Sequence, residues 1–287
     1  MTSLNAYHPR GLKGFKRINP QDFSKLLDEL CLMLSRRGLV AGKLVELAQE
    51  SDPGRVALSI VIGSFELLTA LSIARLLGIK VYARTSNGDP SVGNGRLLLW
   101  NGFLVEEGEF TVSFMSPEGV PDMELHEGGS CTLIEVTLGL AEKTLLYELG
   151  EALRHKPTLE CNVSRRILVT PHYGRDLEKI VKFVESRFKG VVQVHSIYSI
   201  VERLCKGEGL KSVGDLGKPS YRDAVSCCES RVGDIDDVVR SLRIAGRASD
   251  WRGIAEELRN AGYTVVPALV YKIGSLVEES AGRVEAP

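Results

Sequence analysis

Two acidic residues thirteen positions apart, Asp122 and Glu135, could together hold a divalent metal ion. Mg²⁺ prefers hard oxygen ligands and usually takes only one or two carboxylates from a protein, which leaves positions for water and for a phosphate. An ion held in this way activates water near neutral pH and stabilises the charge that develops when a phosphodiester is hydrolysed. The two residues therefore predict metal-assisted hydrolysis, provided that the chain brings their carboxylates together.

The sequence around the two acids predicts a β-hairpin that would bring them together. Residues 121–125 and 131–137 have strand character, and residues 126–130 form a tight return that contains two glycines. Pro121 cannot donate a hydrogen bond to a strand ladder, so Asp122 is expected at a strand start or at a bulge. On two paired strands the carboxylates can face one site.

Glu135 lies in an otherwise apolar run, TLIEVTL at residues 132–138. A carboxylate buried there without a partner would be costly, so it would need a metal ion, a cation or solvent. The alternative is a half-exposed strand with Glu135 and Thr137 on its solvent face.

The rest of the chain alternates between helical and strand patterns. Apolar residues recur at helical spacing over residues 20–51, and Ser64 is a suitable N-cap for a helix from Phe65 to Leu77. A hairpin signal, Asn101-Gly102, directly follows the strand predicted at residues 96–100. Those strands are predicted at residues 79–83, 96–100, 110–114, 166–170 and 191–195, and helices at 142–155, 176–189 and 199–206. This order predicts an α/β fold with a mixed central sheet flanked by helices.

Three regions are predicted along the chain. A helical N-terminal region covers residues 1–60, and the α/β core covers residues 61–207. Beyond residue 207 the composition shifts to glycine, serine and charged residues, and helical spacing returns at 234–244, 250–261 and 267–279. Residues 208–287 are therefore expected to form a helical C-terminal region.

Composition restricts the function only in part. The formal net charge is −1, which gives no overall sign of nucleic-acid binding. No apolar run approaches the roughly 20 residues needed to span a bilayer, and the basic N-terminus is not followed by a signal-peptide core, so we predict a cytoplasmic protein. The six cysteines show no spacing suited to zinc. Cys131 and Cys161 are expected to act as small buried hydrophobes, although the scarcity of glutamine suggests a thermophilic source, in which intracellular disulfides occur.

Four short segments in order resemble the PD-(D/E)xK nuclease superfamily. They are SFELL at residues 64–68, LLGIKV at 76–81, GVPD at 119–122 and IEV at 134–136. The resemblance implies a restriction-endonuclease-like core and covers roughly residues 60–200. The chain departs from the superfamily at Thr137, where most members have lysine.

In having threonine at this position, the chain is similar to type II restriction endonucleases of the AlwI group. The shared features are EVTL at residues 135–138, then Lys143, Glu148 and the RH pair at 154–155. The resemblance implies a Mg²⁺-dependent endodeoxyribonuclease that cleaves duplex DNA, is of restriction type and acts as a homodimer. Two alternatives stay open: a DNA-binding or structural protein with a decayed nuclease core, and an Mrr-like or junction-resolving nuclease.

The resemblance also implies roles for individual residues. Asp122 and Glu135 would be metal ligands, with the carbonyl of Val136 as a third. Glu66 would be an outer acid, and Lys143 would be the cation that supports the attacking water or the phosphate. A solvated lysine in the first helical turn is the alternative reading of Lys143.

Four further residues are weaker candidates for the site. Glu124 alternates with Asp122 and could share its face, but a surface carboxylate is the preferred interpretation. Arg154 and His155 lie at a predicted helix end, where positive charge interacts favourably with the helix dipole, and this could be their whole role. His172 follows a strand end, but we do not predict that it is catalytic.

Overall fold

The computed structural model describes somewhat more than half of the chain. The described residues are 25–34, 52–78, 80–83, 96–99, 103–106, 109–112, 121–127, 130–137, 142–157 and 160–231, together with residues 253, 260 and 263. The predicted C-terminal helices beyond residue 231 and the turn at Asn101-Gly102 lie outside these residues. No helix among the described residues is long and apolar enough to cross a membrane.

Helices and strands alternate through the described part of the chain. The helices are α1 (Leu26–Leu34), α2 (Asp52–Leu77), α3 (Glu142–Arg154), α4 (Gly174–Phe188), α5 (Ile197–Lys206), a 3₁₀ turn (Val213–Leu216) and α6 (residues 221–231). The strands are β1 (Lys80–Ala83), β2 (Arg96–Leu99), β3 (Phe103–Glu106), β4 (Glu109–Val112), β5 (Met123–Glu127), β6 (Ser130–Val136), β7 (Asn162–Thr170) and β8 (Val192–Ser196).

Six of the strands form one mixed sheet in the order β1-β2-β5-β6-β7-β8. The β2–β5 and β5–β6 pairs are antiparallel, and the other three pairs are parallel. Strands β3 and β4 form a separate antiparallel pair. The predicted β5–β6 hairpin is confirmed, as is the succession of helix and strand that follows it.

Helices cover both faces of the sheet. Alternate residues of a strand point to opposite sides, and apolar side chains on each side pack against helices. On one face, Ile134 and Val136 of β6 belong to a core shared with α1, α2 and α5. On the other face, Leu168 and Val192 pack with apolar residues of α3 and α4. Glu135 is paired in register with Leu168, so its side chain lies on the α3–α4 face. The predicted α/β class, with a mixed sheet flanked by helices, is confirmed.

Helix α2 differs from its predicted form. It runs without interruption over Asp52–Leu77, so Ser64 lies in the helix interior and is not an N-cap. The preceding residues 55–62 are mostly apolar and extend the helix. A glycine such as Gly63 inside a helix costs only about 1 kcal/mol relative to alanine, so it does not end α2. The helix also crosses the predicted regional boundary at residue 60.

Strand β2 does not form the hairpin that Asn101-Gly102 signals, because it does not pair with the strand that follows it. Strand β2 is paired with β1 on one side and with β5 on the other, so neither edge is open to the chain that follows. That chain forms β3, which was not predicted, and β3 pairs with β4 instead. A local turn signal cannot show that both edges of the preceding strand are already taken.

All six cysteines form disulfides, which corrects the expectation that Cys131 and Cys161 are simple buried hydrophobes. The pairs are Cys31–Cys228, Cys131–Cys161 and Cys205–Cys227. Adjacent cysteines on α6 thus tie this helix to α1 and to α5. Disulfides persist in oxidising compartments and inside hyperthermophilic cells, so the predicted cytoplasmic location requires the second setting.

The Cys31–Cys228 bond should contribute strongly to stability because it closes a loop of 197 residues. Cross-links of long loops stabilise proteins by about 2–5 kcal/mol. Replacing both cysteines with alanine should therefore lower the melting temperature by roughly 5–15 °C. The matched control is the Cys131→Ala/Cys161→Ala pair, whose loop spans 30 residues and whose loss should have a smaller effect. Equal melting of wild type and the first variant, or free thiols in the oxidised wild type, would contradict this pairing.

Candidate active site

The β5–β6 hairpin brings Asp122 and Glu135 into contact. Met123 pairs with Ile134, which places Asp122, just before β5, opposite Glu135. The backbone N–H of Asp122 donates to Glu135 Oε2 at 3.3 Å, and the backbone N–H of Val136 donates to Asp122 Oδ2 at 2.8 Å. The two carboxyl groups therefore lie beside each other. Each strand therefore orients the acid of the other.

Burial makes it unfavourable to ionise both acids of this pair. It raises the pKa of Asp122 well above its ordinary value, the nearby Glu135 charge raises it further, and the Val136 N–H acts in the opposite direction. Burial raises the pKa of Glu135 to about 8, although the hydrogen bond from the backbone N–H of Asp122 lowers it. Glu135 is only 5% exposed, which excludes the alternative of a solvent-facing strand position. At neutral pH the pair therefore retains a proton, or it requires a cation in its place.

Glu148, on helix α3, is a further acidic residue whose charge affects the pair. Burial raises its pKa, the charge of Glu151 raises it further, and His155 lowers it. The Glu148 charge in turn raises the pKa of both Asp122 and Glu135. In the sequence, Glu148 is only one of the residues that carry the family resemblance, and no role is predicted for it. Its position beside Leu145 and Leu149 could have indicated that it faces the sheet, because both leucines pack in the core on that side.

His155 connects this pair to the end of α3. Its Nδ1 lies 2.6 Å from Glu135 Oε1, and its Nε2 lies 3.2 Å from Glu151 Oε2. Burial lowers the pKa of His155, and Glu151 raises it. His155 is only 9% exposed, so the interpretation of a residue that merely complements the helix dipole at the surface is wrong for it. The useful signal was its position three residues after Ala152, which is buried on the preceding turn.

Arg166 supplies a positive charge beside the pair and is not among the predicted site residues. It is in register with Leu133, two residues from Glu135 on the same face of the sheet. Burial lowers its pKa, and the Glu135 charge acts in the opposite direction. Its Nη1 donates to the carbonyl oxygens of Ala152 at 2.6 Å and of His155 at 3.1 Å. Arg166 thus joins β7 to the C-terminal end of α3.

The other predicted site residues are placed less directly. Glu66 is buried on α2, which packs on the opposite face of the sheet from α3, and its role at the site stays a prediction. Lys143 lies in the first turn of α3, but its side chain is outside the described residues.

Val136 contributes its N–H to Asp122, and the role of its carbonyl stays a prediction. Thr137 is buried, and its N–H donates to Val169 O at 2.9 Å.

Two lesser candidates have other roles. Glu124 was interpreted as a surface carboxylate, but it is fully buried, and its Oε2 lies 2.9 Å from His126 Nε2. The prediction failed because helices cover both faces of the sheet. Arg154 has a side chain that is 69% exposed and forms an ion pair with Glu151, in keeping with its position at a helix end.

The Asp122–Glu135 pair has the donor chemistry of a magnesium site. Among the described residues, no three His, Cys, Asp or Glu side chains are arranged as a complete protein-only metal site. Magnesium commonly takes one or two carboxylates and completes its shell with water and phosphate oxygens. Two adjacent carboxyl groups whose ionisation is suppressed can exchange their proton for a divalent cation, because the cation removes the repulsion between them. The residues present therefore fit a hard divalent ion.

Comparison with known proteins adds a weak structural likeness. No protein-family model and no curated protein matches the sequence. Among solved structures, the chain is similar to the small subunit (R.BspD6I2) of the heterodimeric restriction endonuclease R.BspD6I. The sequence identity is 16% and the TM-score is 0.34, over 60% of this chain and 87% of that one. A TM-score this low does not establish a shared fold, so the function is inferred from the site itself.

Proposed function

We propose that this chain is a Mg²⁺-dependent endodeoxyribonuclease that cleaves duplex DNA. One observation supports the proposal above the others: backbone N–H groups of the two paired strands hold the carboxyl groups of Asp122 and Glu135 side by side in a buried site. Burying two acids side by side is unfavourable without a cation, whereas a bound metal ion gains two ligands from them. The pairing follows from strand register and does not depend on the motif resemblance.

The chain's own residues would divide the work as follows. Asp122 and Glu135 would hold the ion, which when bound lowers the pKa of a water molecule and stabilises charge on the phosphate. The backbone N–H groups of Asp122 and Val136 orient the two carboxylates. Glu148 and Arg166 would set the electrostatic environment, because one carries negative charge and the other positive charge beside the pair.

Restriction-type activity and a homodimer are part of the same proposal. Cleavage of both strands of a duplex needs two active sites or two successive events, and a symmetric dimer supplies the two sites directly. With a net charge of −1, contact with DNA would depend on local basic surfaces and should weaken as salt concentration rises.

A second candidate is a DNA-binding protein whose nuclease core has decayed. Thr137 favours it, because this position lacks the positive charge that most of the superfamily has beside the second acid. This candidate retains the fold and predicts that the wild-type chain has no metal-dependent cleavage.

The deciding experiment combines cleavage with metal binding. The full chain should be incubated with supercoiled plasmid in Mg²⁺ or in EDTA, and Mg²⁺ binding to the protein alone should be measured by calorimetry. Nicked or linear product only in Mg²⁺, with saturable binding, supports the nuclease. Saturable Mg²⁺ binding without cleavage favours the decayed core. Neither binding nor cleavage overturns the metal-site assignment.

Lys143→Ala should lower the cleavage rate by about two to three orders of magnitude, the scale for losing one electrostatic stabiliser. Thr137 carries no charge, and Lys143 stands in the first turn of the helix that follows this strand. DNA affinity should change much less than the rate. Lys182→Ala, which removes an exposed lysine on α4, is the control. Similar rates for wild type and Lys143→Ala in a plasmid assay would leave Lys143 as a solvated surface residue.

A further inference from the structure

We propose that His155 is a positioning residue that holds Glu135 in the orientation needed to bind the metal ion. This inference rests on the proposed function and extends it to a residue outside the PD-(D/E)xK elements. Nothing in the sequence pattern assigns such a role, because His155 is separated from Glu135 by 20 residues and an entire helix.

The contacts of Glu135 show what His155 contributes. One oxygen, Oε2, accepts from the backbone N–H of Asp122, and the other, Oε1, lies 2.6 Å from His155 Nδ1. The first contact comes from the neighbouring strand and the second from the end of α3. Glu135 is thus held from two directions, so its carboxyl plane is fixed toward Asp122. Without His155, one oxygen would lose a buried partner, and the side chain could turn away from that acid.

His155 is itself held in place, as a positioning residue must be. Its Nε2 lies 3.2 Å from Glu151 Oε2 on the preceding turn of α3. Its backbone carbonyl accepts from Arg166 Nη1 at 3.1 Å, and the same nitrogen donates to the carbonyl of Ala152 at 2.6 Å. The imidazole is therefore fixed through its far nitrogen, and its backbone is anchored to β7. A ring held at both ends can define the position of a third group.

A packing role would predict a different result from a positioning role. A residue that only fills space should tolerate any side chain of similar volume. A positioning residue needs a donor at the Nδ1 position, where it meets Glu135. The amide nitrogen of asparagine lies near the Nδ1 position of histidine, whereas that of glutamine lies near Nε2. The two amides therefore separate the contact with Glu135 from the contact with Glu151.

The test compares His155→Ala, His155→Asn and His155→Gln with wild type. Calorimetry would measure Mg²⁺ affinity, and plasmid cleavage would be followed as a function of Mg²⁺ concentration. Losing a residue that orients a metal ligand typically weakens metal binding about 10- to 100-fold. We expect that loss for Ala and Gln, with Asn recovering most of the affinity. Lys156→Ala is the control, because Lys156 is the exposed neighbour of His155.

The outcomes separate this inference from the proposed function. If wild type binds Mg²⁺ and cleaves, and His155→Ala does so with equal affinity, the positioning role is overturned and the nuclease stands. Equal affinities for Asn and Gln would also overturn it. A wild type that neither binds nor cleaves would remove the proposed function itself. If His155→Ala does not fold, as judged by melting in EDTA, the Asn and Gln variants decide the question.

Discussion

Asp122→Asn and Glu135→Gln should each abolish Mg²⁺-dependent cleavage, with a loss of roughly three orders of magnitude or more. Each substitution removes one of two proposed metal ligands while it keeps the volume and much of the hydrogen bonding of the side chain. Wild-type plasmid cleavage by either variant would contradict the metal-site assignment.

The same variants should remain folded and gain stability in metal-free buffer at pH 8. An amide in place of either acid removes a buried charge and its repulsion with the other acid. Since 1 kcal/mol corresponds to roughly 2–4 °C for a chain of this size class, a gain of several degrees in melting temperature is expected. A large fall in melting temperature would show that the acids are structural.

Glu124→Gln is the matched control for these variants. Glu124 is also a fully buried carboxylate, it lies two residues from Asp122 on β5, and it is bonded to His126. If burial of any carboxylate in this sheet were enough to affect the assay, this variant would lose cleavage as well. We expect it to retain Mg²⁺ affinity, because the hydrogen bond between Glu124 and His126 does not involve the Asp122–Glu135 pair.

The second large effect should appear in the pH dependence of stability without metal. The pKa of Glu135 is raised from 4.5 to about 8 by burial, so the folded state holds this proton more tightly than the unfolded state. The resulting stability is fully present below about pH 4.5 and is lost as the pH rises through about 8. Within that window the loss is about 1.4 kcal/mol per pH unit for one proton. Burial also raises the pKa of Asp122, so this residue acts in the same direction.

The measurement is the melting temperature in EDTA from pH 5 to pH 9 for wild type and for Glu135→Gln. Subtracting the two curves removes the contribution of titratable groups elsewhere in the chain. One such group is His195, because burial lowers its pKa to about 4. The wild-type curve should fall relative to the variant as the pH rises. Mg²⁺ should restore wild-type stability most strongly at high pH, where it no longer competes with protons. Parallel curves in EDTA would contradict the coupled, buried pair.

The local part of the site could be predicted from the sequence. Asp122 and Glu135 meet because a short return joins two strands, and strand alternation then places both acids on one face. Such information is contained in neighbouring residues, so periodicity and turn chemistry suffice to predict it. The alternation of helix and strand after residue 142 was predicted for the same reason, and the α/β class followed from it.

Tertiary structure decided the features that depend on residues far apart in the chain. Whether Glu124 and Glu135 are covered depends on helices packed over both faces of the sheet, which strand alternation alone does not show. His155 reaches Glu135 only because α3 crosses the sheet and ends above β6, and Arg166 then fixes that end from β7. The partner of each cysteine is equally non-local, as the bond from α1 to α6 shows. The sequence by itself determined which two acids would pair; three-dimensional packing decided which charges surround them, because those contacts form only when separate elements meet.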